Sequence, residues 1–95
     1  MNLDIEQIKR SILPILRRYD VSKAALFGST AKNQMQPYSD VDILVQIDSD
    51  ISLLDFVGLK IELEQELKRS VDVVEYDTIK PLLREAILKE QKVIL

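Results

Sequence analysis

Three aspartates lie in segments that are otherwise rich in valine. Asp40 and Asp42 are separated by one residue, and alternate residues of a strand point to the same face, about 6–7 Å apart. Two carboxylates at that distance repel each other and destabilise the fold unless a cation or hydrogen-bond donors lie between them. Asp72 stands in a similar run, residues 71–74. If the two strands are neighbours, the three carboxylates form an oxygen-only cation site, of the kind that holds two metal ions during displacement at phosphorus.

Each aspartate also has a simpler interpretation. Asp40 suits a turn, Asp42 suits an exposed edge of the sheet, and Asp72 suits a solvated strand face. The metal site is favoured at Asp42 because the flanking residues Val41 and Ile43 indicate that the opposite face of its strand is buried. For Asp72, the metal site depends on a strand adjacency that the sequence leaves open.

Gly28 and Ser29 follow an apolar run that is typical of a buried strand. A glycine there allows a tight turn and the close approach of a ligand. If Ser29 opens a short helix, its hydroxyl and the free N–H groups of the first turn form an anion site. Gly-Ser pairs are also common as simple turns, so this pair alone does not decide between the two interpretations.

The 95 residues contain no histidine and no cysteine. This composition excludes a catalytic triad, an imidazole base, His- or Cys-ligated zinc and disulfide bonds. Any metal is therefore expected on carboxylates, as magnesium or manganese. The net charge of −3 argues against a broad nucleic-acid-binding surface. No apolar run is long enough for a membrane span and the N-terminus lacks a secretory signal, so we expect a cytoplasmic protein.

The hydrophobic pattern predicts one domain over residues 1–95, of the α/β (α+β) class, with helices packed on a small mixed sheet. The predicted helices cover residues 4–19, with Asp4 as N-cap and a kink or break at Pro14, residues 52–67, with Ser52 as cap, and a closing stretch from 78 or 79 to 90. The predicted strands cover residues 23–27, 40–48 and 71–76, with a short edge strand at 93–95. The apolar positions of the 52–67 helix span more than one narrow stripe, which indicates deep burial or a surface covered by a partner.

The segment LFGSTAKNQMQPYSDVDILVQ, together with this order of elements, resembles the nucleotidyltransferase superfamily with its polymerase β-like fold. More narrowly, it resembles the minimal nucleotidyltransferase antitoxins of HEPN/MNT toxin–antitoxin systems. Their motif is written Gly-Ser-x-Ala-Arg-Gly, followed by Ser-Asp-x-Asp-Leu. The resemblance extends over nearly the whole chain, through the VDVVEYD strand and the closing LLREAILKEQKVIL segment.

The resemblance implies a role for each candidate residue. The Gly28 backbone and Ser29 would contact the triphosphate of ATP, while Asp40, Asp42 and Asp72 would hold two Mg²⁺ ions. Asp72 would also help to activate the acceptor hydroxyl. Members of the family transfer a nucleoside monophosphate, typically AMP, to a partner protein. That partner is commonly a HEPN-domain RNase toxin, modified on a tyrosine and silenced, so a hetero-oligomer with a toxin is implied as well.

Two residues depart from the family motif. Lys32 stands where arginine is usual and would keep a positive charge at the phosphates without the bidentate fork. Asn33 stands where glycine is usual and tolerates a positive φ better than most residues. A second hypothesis is therefore a binding module of the same fold that neutralises a toxin by contact, with weak or no catalysis. A small-molecule nucleotidyltransferase is disfavoured because no residues remain for a substrate domain.

Overall fold

Four strands form one mixed sheet with helices on both faces. The computed structural model describes residues 4–31 and 40–95. In chain order the elements are α1 (Ile5–Arg18), β1 (Val21–Leu26), α2 (Gly28–Ala31), β2 (Val41–Ile47), α3 (Leu53–Leu67), β3 (Val71–Glu75), a 3₁₀ turn (Tyr76–Thr78), α4 (Pro81–Glu90) and β4 (Lys92–Val93). The strand order is β3-β2-β1-β4, with β2 and β3 parallel and the other pairs antiparallel. The predicted α/β class with a small mixed sheet is confirmed.

The N-terminal ends of α1 and α3 are fixed by side-chain caps. The Asp4 carboxylate accepts the Gln7 N–H at 2.8 Å, and the Gln7 side chain accepts the Asp4 N–H at 3.2 Å. This reciprocal pair is a capping box. At α3, the Ser52 hydroxyl accepts the Asp55 N–H at 3.1 Å. Both caps therefore stand at the positions that the sequence predicts.

Of the kink or break expected at Pro14, the break is not found, because α1 runs unbroken through that residue. Pro14 and Arg10 both lie on the exposed side of the helix. Water can therefore satisfy the Arg10 carbonyl that Pro14 leaves without a donor. The apolar face of α1 stays intact on the other side, where Ile12 and Ile15 are buried.

The closing helix begins later than predicted, at Pro81 instead of residue 78 or 79. The residue before a proline is pushed towards extended backbone, and Lys80 has φ −62° and ψ 136°. The chain therefore makes a 3₁₀ turn directly after β3 and stays extended until the proline, which occupies the first turn of α4.

The hydrophobic core separates the two faces of the sheet. Alternate β2 residues Val41, Ile43 and Val45 are fully buried, together with side chains of α1 and α3. The intervening Leu44 packs in a second, smaller cluster, which α4 helps to form. Asp42 points to the same face as Leu44. The strand alternation predicted for residues 40–48 is thus confirmed.

The far edge of the sheet is covered by the C-terminal residues. β4 pairs antiparallel with β1, with Ala25 opposite Val93, and the Leu95 carbonyl accepts the Ala24 N–H at 3.1 Å. The short edge strand predicted at residues 93–95 is therefore present within the chain, one residue earlier. Within residues 4–31 and 40–95, no helix is long and apolar enough to cross a membrane.

Core packing by α3 gives a first prediction. We expect Leu63→Ala to lower the free energy of unfolding by about 2–5 kcal/mol, since it removes a fully buried side chain. The matched control is Ile61→Ala on the same helix, where the side chain is 47% exposed and the loss should stay below about 1 kcal/mol. Urea unfolding monitored by circular dichroism measures both. Equal losses would contradict the assignment of the buried face.

Candidate active site

The centre of the candidate site is a pair of aspartates on neighbouring strands. In the parallel pairing of β2 with β3, Asp42 lies opposite Asp72, and neighbouring strands are about 4.8 Å apart. Both side chains project from the sheet face that carries Leu44 and α4. The strand adjacency on which the Asp72 prediction depended is therefore present.

The three carboxylates act on one another electrostatically. Burial, together with the smaller effects of the charges of Asp72 and Asp40, raises the pKa of Asp42 from 3.8 to about 6. Asp40 lies one residue before β2 and is exposed, as is Asp72, while Asp42 is partly buried. A divalent cation would relieve this repulsion, and carboxylate oxygens are the ligands that magnesium prefers.

The carboxylates do not form a ready-made three-ligand group. Among residues 4–31 and 40–95, no three acidic side chains are close enough together to hold one ion. The register-paired Asp42 and Asp72 are the core of the candidate site, and Asp40 contributes charge from the start of β2. The chemistry of the donor set fits a hard cation, and the assignment of all three residues as ligands stays a prediction.

Gly28 brings the Gly-Ser motif against this carboxylate pair. Its φ is +64°, in the region that favours glycine, and a Cβ atom there would lie 2.6 Å from the Asp42 Oδ2 atom. The preceding Phe27 N–H donates to the Asp42 carbonyl at 3.1 Å. The glycine therefore makes room for the Asp42 carboxylate. From the sequence, Gly28 is assigned only to a turn and to the approach of a ligand, so this contact is not predicted.

The other predicted phosphate contacts are only partly covered by the structure. The Ser29 backbone lies in α2, immediately after Gly28, as expected for a short helix after the strand. The Ser29 side chain and the residues Lys32 and Asn33 lie outside the part of the chain that the structure describes. Contact of Ser29 and Lys32 with a triphosphate stays a prediction.

A groove of about 240 Å³ adjoins Asp72 on the α4 side of the sheet. It is lined mainly by apolar side chains from β2, β3, α4 and the segments that follow β1 and β3, with Asp72, Thr78 and Lys80 as polar members: Phe27, Leu44, Asp72, Val74, Thr78, Ile79, Lys80, Leu83 and Ile87. This groove is not predictable from the sequence, because its walls come from segments that are distant along the chain. The one local signal is the apolar content of α4, whose Leu83 is 53% exposed.

Comparison with known proteins identifies the family. Residues 10–95 match the family described as Polymerase beta, Nucleotidyltransferase. The chain belongs to this family. It is 49% identical over 88 residues to MJ0435 of Methanocaldococcus jannaschii, provisionally named a protein adenylyltransferase, with 93% of this chain and 95% of that protein covered. It is also 35% identical over 88 residues to the protein adenylyltransferase MntA of Thermococcus cleftensis, covering 92% and 89% of the two chains.

Solved structures agree with this assignment. A chain described provisionally as a minimal nucleotidyltransferase superposes with a TM-score of 0.81 at 33% identity, covering 94% of each chain. A toxin–antitoxin structure with AMP-PNP superposes with a TM-score of 0.79 at 22% identity, covering 92% of this chain and 72% of that one. The second likeness shows the fold alone. The resemblance to minimal nucleotidyltransferases drawn from the sequence is therefore confirmed.

The contact between Gly28 and Asp42 gives a second prediction. Gly28→Ala should destabilise the fold by about 1–3 kcal/mol, because the new methyl group meets a carboxylate at a positive φ. The control is Gly58→Ala within α3, where the Cβ would meet only the Tyr19 hydroxyl at 3.2 Å and helix propensity favours alanine by about 1 kcal/mol. Urea unfolding compares the two variants. A Gly28→Ala protein as stable as the Gly58→Ala protein would contradict the close approach.

The raised pKa of Asp42 gives a third prediction. Because the folded pKa of about 6 exceeds the unfolded value of 3.8, the folded state binds more protons between them, and stability falls as pH rises through that window. Asp42→Asn removes the ionisable group and, with it, this pH-dependent loss of stability. Without divalent cations the variant should be more stable at pH 7 by about 1 kcal/mol, after allowance for solvent screening. The advantage should shrink towards pH 4.

Unfolding by urea at both pH values provides the measurement. The control is Asp50→Asn, an exposed acid in the loop after β2, which should leave the pH dependence as in the parent chain. An Asp42→Asn advantage of equal size at both pH values would show that the charge of the partly buried Asp42 carboxylate is not its cause.

Proposed function

We propose that this chain transfers AMP from ATP to a tyrosine hydroxyl of a HEPN-domain toxin in a magnesium-dependent reaction, and so acts as an antitoxin. The observation that supports it most is the pairing of Asp42 with Asp72 directly beside Gly28. Two carboxylates next to a glycine turn provide the cation-binding and phosphate-approach features that nucleotidyl transfer needs. Membership of the nucleotidyltransferase family is consistent with this chemistry.

The names of related proteins support the acceptor and the partner. MntA of Thermococcus cleftensis is named a protein adenylyltransferase. One structure with the same fold is described as a tri-AMPylated Shewanella oneidensis HEPN toxin in complex with MNT antitoxin, with a TM-score of 0.73 at 21% identity. The proposal extends that modification and that class of partner to this chain.

Each candidate residue has a distinct task in the reaction. Asp40, Asp42 and Asp72 would hold the magnesium ions, which supply positive charge at the phosphate oxygens. The acceptor oxygen forms a bond to the α-phosphorus, and the bond from that phosphorus to the bridging oxygen of the β-phosphate breaks, releasing pyrophosphate. The exposed Asp72 takes the proton of the acceptor hydroxyl. Gly28, Ser29 and Lys32 position the triphosphate.

The alternative of neutralisation by contact alone has its own supporting observation. Large apolar side chains of both α3 and α4 are exposed, among them Leu53 at 78% and Leu82 at 97%. Exposed apolar residues of this kind are suited to protein binding. An active enzyme also has to bind its acceptor, so these residues fit both hypotheses, whereas the aspartate pair favours catalysis.

Transfer of label separates the two hypotheses. With ATP labelled at the α-phosphate, magnesium and a purified HEPN-domain protein as acceptor, we expect label on that protein. Asp42→Asn and Asp72→Asn should each lower the rate by about 100-fold or more, since several kcal/mol of transition-state stabilisation are lost. The matched control is Asp50→Asn, an exposed acid outside the site, which should keep the parent rate.

Two results would contradict the proposal. Label transfer that survives both substitutions would exclude the aspartate pair as the metal site. Neutralisation of the toxin without any label would favour the contact hypothesis.

A further inference from the structure

No strand in the described part of the chain covers the edge of the sheet beside Asp72. β3 is the last strand in the sheet order and pairs with β2 alone among the described strands. The Val41 N–H donates to the Ser70 carbonyl at 3.0 Å, so the peptide groups of Ser70, Asp72 and Val74 point towards β2. By the same alternation, those of Val71, Val73 and Glu75 point outward.

Side chains close the two ends of this edge and leave its middle free. At one end the Val71 N–H donates to the Glu64 carboxylate at 3.0 Å. At the other end the Thr78 hydroxyl donates to the Glu75 carbonyl at 2.9 Å. In residues 4–31 and 40–95, no hydrogen bond is found for the outward N–H and carbonyl of Val73. The part of β3 whose outward backbone groups can accept a new strand is therefore centred on Val73. It is long enough to pair with a few residues of that strand.

Two apolar grooves flank this edge, one on each face of the sheet. The groove on the α4 side, described above, contains Asp72 and Val74. The groove on the α3 side has a volume of about 470 Å³ and is lined by Ile51, Ser52, Leu53, Phe56, Val73, Val74, Glu75 and Thr78. Val74 and Thr78 line both, so the grooves meet around β3. Successive side chains of an added strand would enter them alternately.

We infer that the acceptor protein presents its hydroxyl on an extended segment that adds to β3 as a further strand. The inference rests on the proposed function and names how the acceptor is bound. The acceptor tyrosine lies in the α4-side groove, against Phe27 and Leu83, with its hydroxyl at Asp72. The residue next to the tyrosine is apolar and enters the α3-side groove, against Leu53 and Phe56.

The negative charges along the β3 edge favour a segment of another protein over a second copy of this chain as the added strand. Glu64, Asp72 and Glu75 all lie along the β3 edge. Pairing of two β3 edges would bring these like charges together, which destabilises a strand pair. A neutral or basic segment of another protein meets no such repulsion. The acidic edge therefore favours an acceptor segment with lysine or arginine near its tyrosine.

Backbone methylation of a peptide tests this binding mode without changing the protein. The probe is a short synthetic peptide with a central tyrosine, leucine on each side of it and lysine at the remaining positions. One derivative carries N-methyl groups on the backbone amides of the two leucines. The matched derivative carries them on the amides of the two lysines that lie next to the leucines, two positions from the tyrosine on each side. Only alternate amides of an added strand face β3, so one derivative should lose labelling by about tenfold or more while the other keeps it.

A pair of protein variants tests the same contact from the other side. Leu53→Asp changes a residue that lines the α3-side groove, and Leu54→Asp changes a neighbour outside that lining. Both side chains are exposed on the same helix turn, so the two changes are comparable for folding. Labelling of the leucine-flanked peptide should fall at least about tenfold in Leu53→Asp alone, since an apolar contact becomes a buried charge.

The outcomes separate this inference from the proposed function. If neither the whole HEPN protein nor any peptide is labelled by the parent chain, both fail. If the HEPN protein is labelled but no peptide is, an extended segment is not the recognised element. If the peptide is labelled but both methylated derivatives, or both leucine variants, behave alike, strand addition is wrong while nucleotidyl transfer stands.

Discussion

The parallel pairing of β2 with β3 places two carboxylates side by side, and the rest of the structure compensates for that placement. Asp42 and Asp72 share one register position and repel each other, so the strands need another reason to stay paired. It is supplied on the opposite face, where Val41, Ile43 and Val71 are buried against α1 and α3. Strand alternation thus puts the stabilising contacts and the chemical groups on opposite sides of the same two strands.

The same constraint explains the glycine at position 28. Since Asp42 is partly buried, its carboxylate needs space that a side chain at position 28 would occupy. The turn at Gly28 both ends β1 and clears that space, so the Gly-Ser motif and the aspartate on β2 depend on each other. Burial also keeps the pKa of Asp42 high, which is typical of functional sites that are built at the expense of stability.

Much of this arrangement is predictable from local patterns. Alternation on β2, the caps Asp4 and Ser52 and the spacing of Asp40 and Asp42 all act over a few residues, and the structure agrees with them. Features that depend on distant segments were harder to predict. The contact of Gly28 with Asp42 and the groove between β3 and α4 each involve elements that are distant along the chain. Local sequence patterns do not predict how such elements are placed relative to one another. The break predicted at Pro14 is absent because the effect of this proline depends on which side of α1 is exposed.

The β1 edge of the sheet is covered by a strand, whereas no described strand covers the β3 edge. This difference follows from the position of Asp72. The β1 edge is closed by β4, as is usual for an edge that would otherwise invite association. The β3 edge holds a candidate catalytic carboxylate, and a covering strand would shut the acceptor out from it. Short length and an acidic border, including Glu64 and Glu75, protect this edge from a second copy of the chain. Under the proposed function, this edge admits a segment of the acceptor protein and disfavours pairing with a second copy of the chain.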